Sequence, residues 1–132
     1  MHGKVVDIKE GKAKSGTKII MYTQNNPRST NQIWTAEPAG GEYFWIVSAL
    51  DPNMVIDVPE GKAEPGAHLH VWTRNHPATK NQLWKWQDDV LISALAPDLC
   101  LDIKASSFDD GAEVILWKFG NTANQKWEMH SA

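Results

Sequence analysis

An all-β chain built from three copies of one unit is the fold class this sequence predicts, and three observations predict it. The tetrapeptide Asn-Gln-x-Trp occurs three times, ending at Trp34, Trp84 and Trp127. An Asp, a Gly and an aromatic residue precede each copy at shared offsets: Asp7, Gly16 and Tyr22; Asp57, Gly66 and Trp72; Asp102, Gly111 and Trp117. Apolar runs are short and bounded by Gly, Pro, Asn and Asp, which supply or pre-set turn dihedrals, and no stretch carries a convincing helical period.

Taken in order, the first unit enters its opening apolar run at Val5, directly after Met1-His2-Gly3-Lys4. Asn25-Asn26-Pro27 then reads as a turn before the first Asn-Gln. Strands are expected at Trp45-Ile46-Val47, at Val55 to Val58 and at Leu69 to Trp72, the last two separated by the turn Pro59-Glu60-Gly61. Leu91-Ile92 and Val114 to Trp117 continue the series, with Asp109-Asp110-Gly111 as a turn between them. The copies align without gaps until the third, which loses two residues before its Asn-Gln. Such a period marks one supersecondary unit packed against its own copies. The units span about residues 1–42, 43–87 and 88–132.

Four short strands cannot bury their own apolar face, so three units around a pseudo-threefold axis would share one core and one largely closed sheet. A β-trefoil meets that requirement, and 132 residues suit a single such domain over the whole chain. Ser48-Ala49-Leu50 and Ser93-Ala94-Leu95 close the strand that opens the second and third units, and nothing equivalent precedes Asp7. The first strand of the first repeat is therefore expected to be absent, and Glu128 to Ala132 does not look like a replacement. A trimmed domain, an open edge or an edge completed by another chain, which would give a homodimer, are the three explanations. The first two would leave the site on Asp7 and Tyr22 the most distorted.

Asp, an aromatic fifteen residues on, then Asn-Gln-x-Trp, three times in register over essentially the whole chain, resembles the repeat of the ricin-B-type lectins. The resemblance implies that Trp34, Trp84 and Trp127 are core residues, as a large apolar body on a short strand also suggests. It further implies a sugar site in each unit. The first comprises Asp7, Tyr22, Asn31 and Gln32; the second Asp57, His70, Trp72, Asn81 and Gln82; the third Asp102, Trp117, Asn124 and Gln125.

The chemistry suits a pyranose, which offers a ring of hydroxyls and a patch of C–H groups. An ionised Asp accepts hydroxyl protons, an Asn amide donates to the same oxygens, Gln holds the Asp in position, and the aromatic covers the C–H face. The resemblance makes those hydroxyls the 3- and 4-positions of galactose, so galactose or N-acetylgalactosamine glycans are the expected partners, bound by up to three shallow sites. His70 would add mild pH sensitivity. The phase of Tyr22, Trp72 and Trp117 relative to Ile20 and Val71 leaves core packing open as an alternative role. Strand-end bonding to backbone amides is the alternative for the three Asp residues.

Other functions find less support. His68, His70 and His76 fit no familiar zinc spacing, so neither metal nor cofactor is expected. The pairs Asp88-Asp89 and Asp109-Asp110 stand in turn contexts rather than as facing carboxylates, and Cys100 aligns with Val5 and Val55 as a small buried residue, so no catalytic constellation emerges. A net charge of −3, an isoelectric point near 5.9 and scattered Lys and Arg argue against nucleic acid. No apolar run is long enough to insert in a membrane, and no signal peptide opens the sequence. One Cys excludes intrachain disulfides, which suggests a soluble protein of the cytoplasm or of non-classical export. Two other functions compete with a free lectin: the targeting module of a larger glycosidase or toxin, and a trefoil used for protein contacts such as protease inhibition.

Overall fold

The computed structural model describes residues 4–27, 29–104, 107, 109–120 and 122–127. Its regular structure is ten short strands: β1 (Lys4–Ile8), β2 (Ile19–Thr23), β3 (Trp34–Gly40), β4 (Tyr43–Ser48), β5 (Met54–Asp57), β6 (His70–Thr73), β7 (Trp84–Gln87), β8 (Val90–Ser93), β9 (Leu99–Ile103) and β10 (Val114–Lys118), with turns and loops between them. Helical structure among the described residues is confined to single 3-10 turns, and three of these carry Asn31-Gln32, Asn81-Gln82 and Asn124-Gln125. The strand that would open the first unit, and the tail from Glu128, lie outside the described residues.

Three antiparallel hairpins, β1–β2, β5–β6 and β9–β10, share one register. Asp7, Asp57 and Asp102 stand opposite Ile20, His70 and Ile115, while Val5, Val55 and Cys100 stand opposite Tyr22, Trp72 and Trp117. Directly paired residues, and residues two apart on one strand, share a face of the sheet. Each Asp therefore lies on the same face as the aromatic of its unit.

The hairpins are joined in a ring by backbone hydrogen bonds between units. Gly16 N donates to Val71 O, Gly66 N to Leu116 O and Gly111 N to Met21 O, at 2.8, 2.8 and 2.7 Å. The three glycines have φ of 96°, 93° and 90°, a region that side chains with a Cβ rarely enter. That requirement explains why Gly recurs at one offset in every unit.

Inside the ring lies the main core, with Ile8, Ile19, Met21, Ile56, Leu69, Val71, Leu101, Ile103 and Leu116 fully buried together with Trp84. Trp127 joins it, whereas Trp34 packs against it half-buried, so the three Gln-x-Trp indoles are not equally interior. All three make the same bond: Nε1 donates to the carbonyl preceding the unit's Asp, Trp34 to Val6 O (3.0 Å), Trp84 to Ile56 O (3.3 Å) and Trp127 to Leu101 O (3.1 Å). Burial of the ring and satisfaction of its one donor thus fix the strand from which the Asp projects.

Candidate functional site

Each Asp is almost inaccessible, with 5%, 3% and 3% of its surface exposed for Asp7, Asp57 and Asp102. A carboxylate so buried needs donors, and the 3-10 turn of its unit supplies them. Asn31 and Gln32 donate to Asp7 at 3.2 and 2.8 Å, Asn81 and Gln82 to Asp57 at 3.1 and 2.8 Å, and Asn124 and Gln125 to Asp102 at 3.0 and 2.7 Å. In the third unit burial pushes the carboxyl above the ordinary carboxylate range, with the Gln125 and Asn124 bonds working against that rise.

The Gln is engaged on every side. Its Nε2 also donates to the carbonyl of the residue after the aromatic, Thr23, Thr73 or Lys118, at 3.0, 2.9 and 2.8 Å. Its Oε1 accepts from the backbone N–H of Asn25, Asn75 or Gly120. Buried and with both amide hydrogens spent, Gln32, Gln82 and Gln125 are positioning residues that tie the Asp to the end of the aromatic strand. The Asn residues differ among the units: Asn31 and Asn81 are half-buried, whereas Asn124 is buried, donates also to Ile103 O and accepts from the Thr122 hydroxyl.

Beside each Asp stands an exposed ring. Tyr22, Trp72 and Trp117 keep 42%, 43% and 47% of their surface accessible, which excludes core packing for these three. The first set, on β1, β2 and the 30–32 turn, has the same register and bonds as the others. The distortion expected there is not seen in this register or in these bonds.

Sequence reasoning missed the part played by the neighbouring unit. A side chain at Gly16 would begin 3.7 Å from the Trp72 ring, and one at Gly66 4.0 Å from Trp117. Ser15 Oγ accepts from Thr73 N at 3.1 Å, and Asp110, paired with Lys4 at 2.8 Å, accepts from Thr23 N at 2.8 Å. Trp72 and Trp117 therefore stand beside the loop of an adjacent copy, and the strand that carries Tyr22 is bonded to one through Thr23. The recurring Gly was the one available signal.

His70 bonds Asp57 at 2.9 Å and stacks on Trp72, with ring centroids 5.3 Å apart and planes at 23°. His68 instead pairs with Glu113 at 2.9 Å, and His76 lies against Trp45. Among the described residues no group of three or more His, Cys, Asp or Glu is placed to hold a metal ion, and no helix is long and apolar enough to cross a membrane.

Such a set, an acceptor fixed in an apolar wall beside a flat accessible ring, suits a ligand with adjacent hydroxyls and a C–H face. Comparison with known proteins points the same way. A model described as the ricin-type beta-trefoil lectin domain matches residues 42–132, and one described as ricin-type beta-trefoil lectin domain-like matches residues 1–72. No curated protein matches the sequence. Among solved structures, the C-half of an earthworm R-type lectin in complex with GalNAc is 27% identical, with a TM-score of 0.75 over 94% of this chain and 87% of that one. An exo-β-1,3-galactanase from Clostridium thermocellum is 29% identical, with a TM-score of 0.86 over 96% of this chain but only 27% of the enzyme. The designed threefold-symmetric protein ThreeFoil, at 24% identity, shares the fold with a TM-score of 0.86 over 96% and 90% of the two chains.

Proposed function

The chain belongs to the ricin-type β-trefoil lectin family, a carbohydrate-binding family, and from that premise we propose that it binds galactose or N-acetylgalactosamine glycans through three sites, one per unit. The observation that carries this reading is the recurrence, in all three units, of a buried Asp clamped by Asn and Gln beside an aromatic ring left exposed. An exposed aromatic ring costs solvation, and its repetition at one register position, as Tyr22, Trp72 and Trp117, speaks for a ligand rather than for packing. The axial 4-hydroxyl of galactose leaves a continuous C–H face for Trp72 or Trp117, and the Asp accepts the hydroxyls beside it. The GalNAc bound by the earthworm lectin supports the same sugar class.

Each site is shallow, with a dissociation constant on the order of 0.1–1 mM. Engagement of several sites on one glycan surface then raises avidity by roughly 10²–10⁴ where the geometry permits. Backbone amide NMR with galactose, and glucose as control, tests the proposal: selective shifts around Asp7, Asp57 and Asp102 are expected, and their absence with galactose and N-acetylgalactosamine overturns it. A second reading keeps the same sites but places the domain within a larger glycosidase. The galactanase, of which this fold occupies about a quarter, favours it.

A further inference from the structure

The second site is not a copy of the other two, and the difference lies in how its carboxylate is spent. An ionised carboxylate offers about four lone-pair sites, two on each oxygen. In the first and third units the amide donors divide, Asn31 and Asn124 on Oδ1, Gln32 and Gln125 on Oδ2, so each oxygen keeps one position for a ligand. In the second unit Asn81 and Gln82 both donate to Oδ2, and His70 Nε2 takes one position on Oδ1. One position remains in place of two. The residue opposite the Asp decides this, because Ile20 and Ile115 stand where His70 stands and have nothing to donate.

The histidine replaces what it removes. His70 Nε2 is turned to the carboxylate, which leaves Nδ1 beside the Trp72 face on which the imidazole is stacked, and in a neutral imidazole that donates from Nε2 the Nδ1 lone pair is a hydrogen-bond acceptor. We infer that His70 is a specificity-determining residue that gives the second site a different hydroxyl requirement: one hydroxyl on Asp57 and a second on the imidazole, where the first and third sites place both on the Asp. The inference rests on the proposed galactose-type reading.

Galactose, 3-deoxygalactose and 4-deoxygalactose, titrated one at a time into the intact chain and followed unit by unit by amide NMR, test it. Loss of a hydroxyl bonded to a buried carboxylate should weaken binding about tenfold or more. The first and third units should show that loss with both deoxysugars. The second should show it with only one, because a hydroxyl bonded to neutral imidazole contributes less. His70→Ile, which installs the side chain of the other two units, should make the second unit lose affinity with both. Equal sensitivity of all three units in the wild type, or a His70→Ile chain with the wild-type pattern, overturns the inference. A second unit silent towards galactose until His70 is replaced also overturns it, making the histidine a plug. Silence of every unit towards galactose itself would instead defeat the galactose-type reading on which it rests.

Discussion

Trp84 and Trp72 lie twelve residues apart, recur with the same period and have opposite fates. Trp84 is fully buried, with its Nε1 donating to Ile56 O, and so sets the strand that carries Asp57. Trp72, on the hairpin face shared with Asp57, leaves 43% of its surface open, beside Gly16 of the preceding unit, where an added Cβ would fall 3.7 Å from the ring. Recurrence marks both as necessary to the unit without telling which is structural and which faces a ligand. What separates them is the face of the strand and the destination of the polar atom.

Truncating each ring is the hardest test of that contrast. Trp84→Ala removes a fully buried indole and should cost about 3–5 kcal/mol, measurable by denaturant unfolding and large enough to threaten folding. Trp72→Ala should leave the unfolding midpoint nearly unchanged while weakening sugar binding at the second unit about tenfold, as read by NMR titration. A destabilisation of Trp72→Ala comparable to that of Trp84→Ala would break the comparison.

The polar floor between the two rings gives a subtler effect. Asp102→Asn keeps the shape but withdraws an acceptor from Asn124 and Gln125, so a loss of about 1–3 kcal/mol is expected alongside the loss of ligand in the third unit. Acidity sharpens the point. The folded-state pKa of Asp102 is raised by burial, so the folded chain holds this proton more tightly than the unfolded chain does. Its contribution to stability is full below the unfolded pKa and is lost as pH rises through the folded one. Ligand binding runs the other way, because the third unit needs the carboxylate. A pH series of NMR titrations should show binding there fading as pH falls through a value above the ordinary carboxylate range, while the stability advantage of wild type over Asp102→Asn widens towards low pH.

Cys100 provides the smallest effect. It is fully buried opposite Trp117, and burial, reinforced by Asp102, pushes its thiol up to about 12. The native chain should resist iodoacetamide at about pH 8 and react only when unfolded. Rapid native alkylation would show that the floor of the third unit opens.

Much of this was legible beforehand for identifiable reasons. Strand and turn follow from short apolar runs punctuated by Gly, Pro and Asn: the expected strand from Val114 to Trp117 falls within β10, and the one from Val55 to Val58 overlaps β5 but runs one residue past its end. Asp7, Asp57 and Asp102 stood out because three copies at one offset leave little room for chance. The alternation along Ile20, Val71 and their neighbours was ambiguous, because a period of two says which residues share a face and not which face is inside.

By itself, then, the sequence determined the threefold repeat, the all-β character and the roster of residues that each unit contributes, since these depend on local order and spacing. Only the tertiary structure decided which indole is buried, that Asn-Gln folds back on a 3-10 turn to clamp the Asp, and that Gly16 and Gly66 stand beside the rings of the next unit. It also decided that His70 occupies Asp57 where isoleucines stand in the other copies. These are partnerships between residues distant along the chain, and a hydrogen bond between such residues exists only once the packing of three units has brought donor and acceptor to within 3 Å or so.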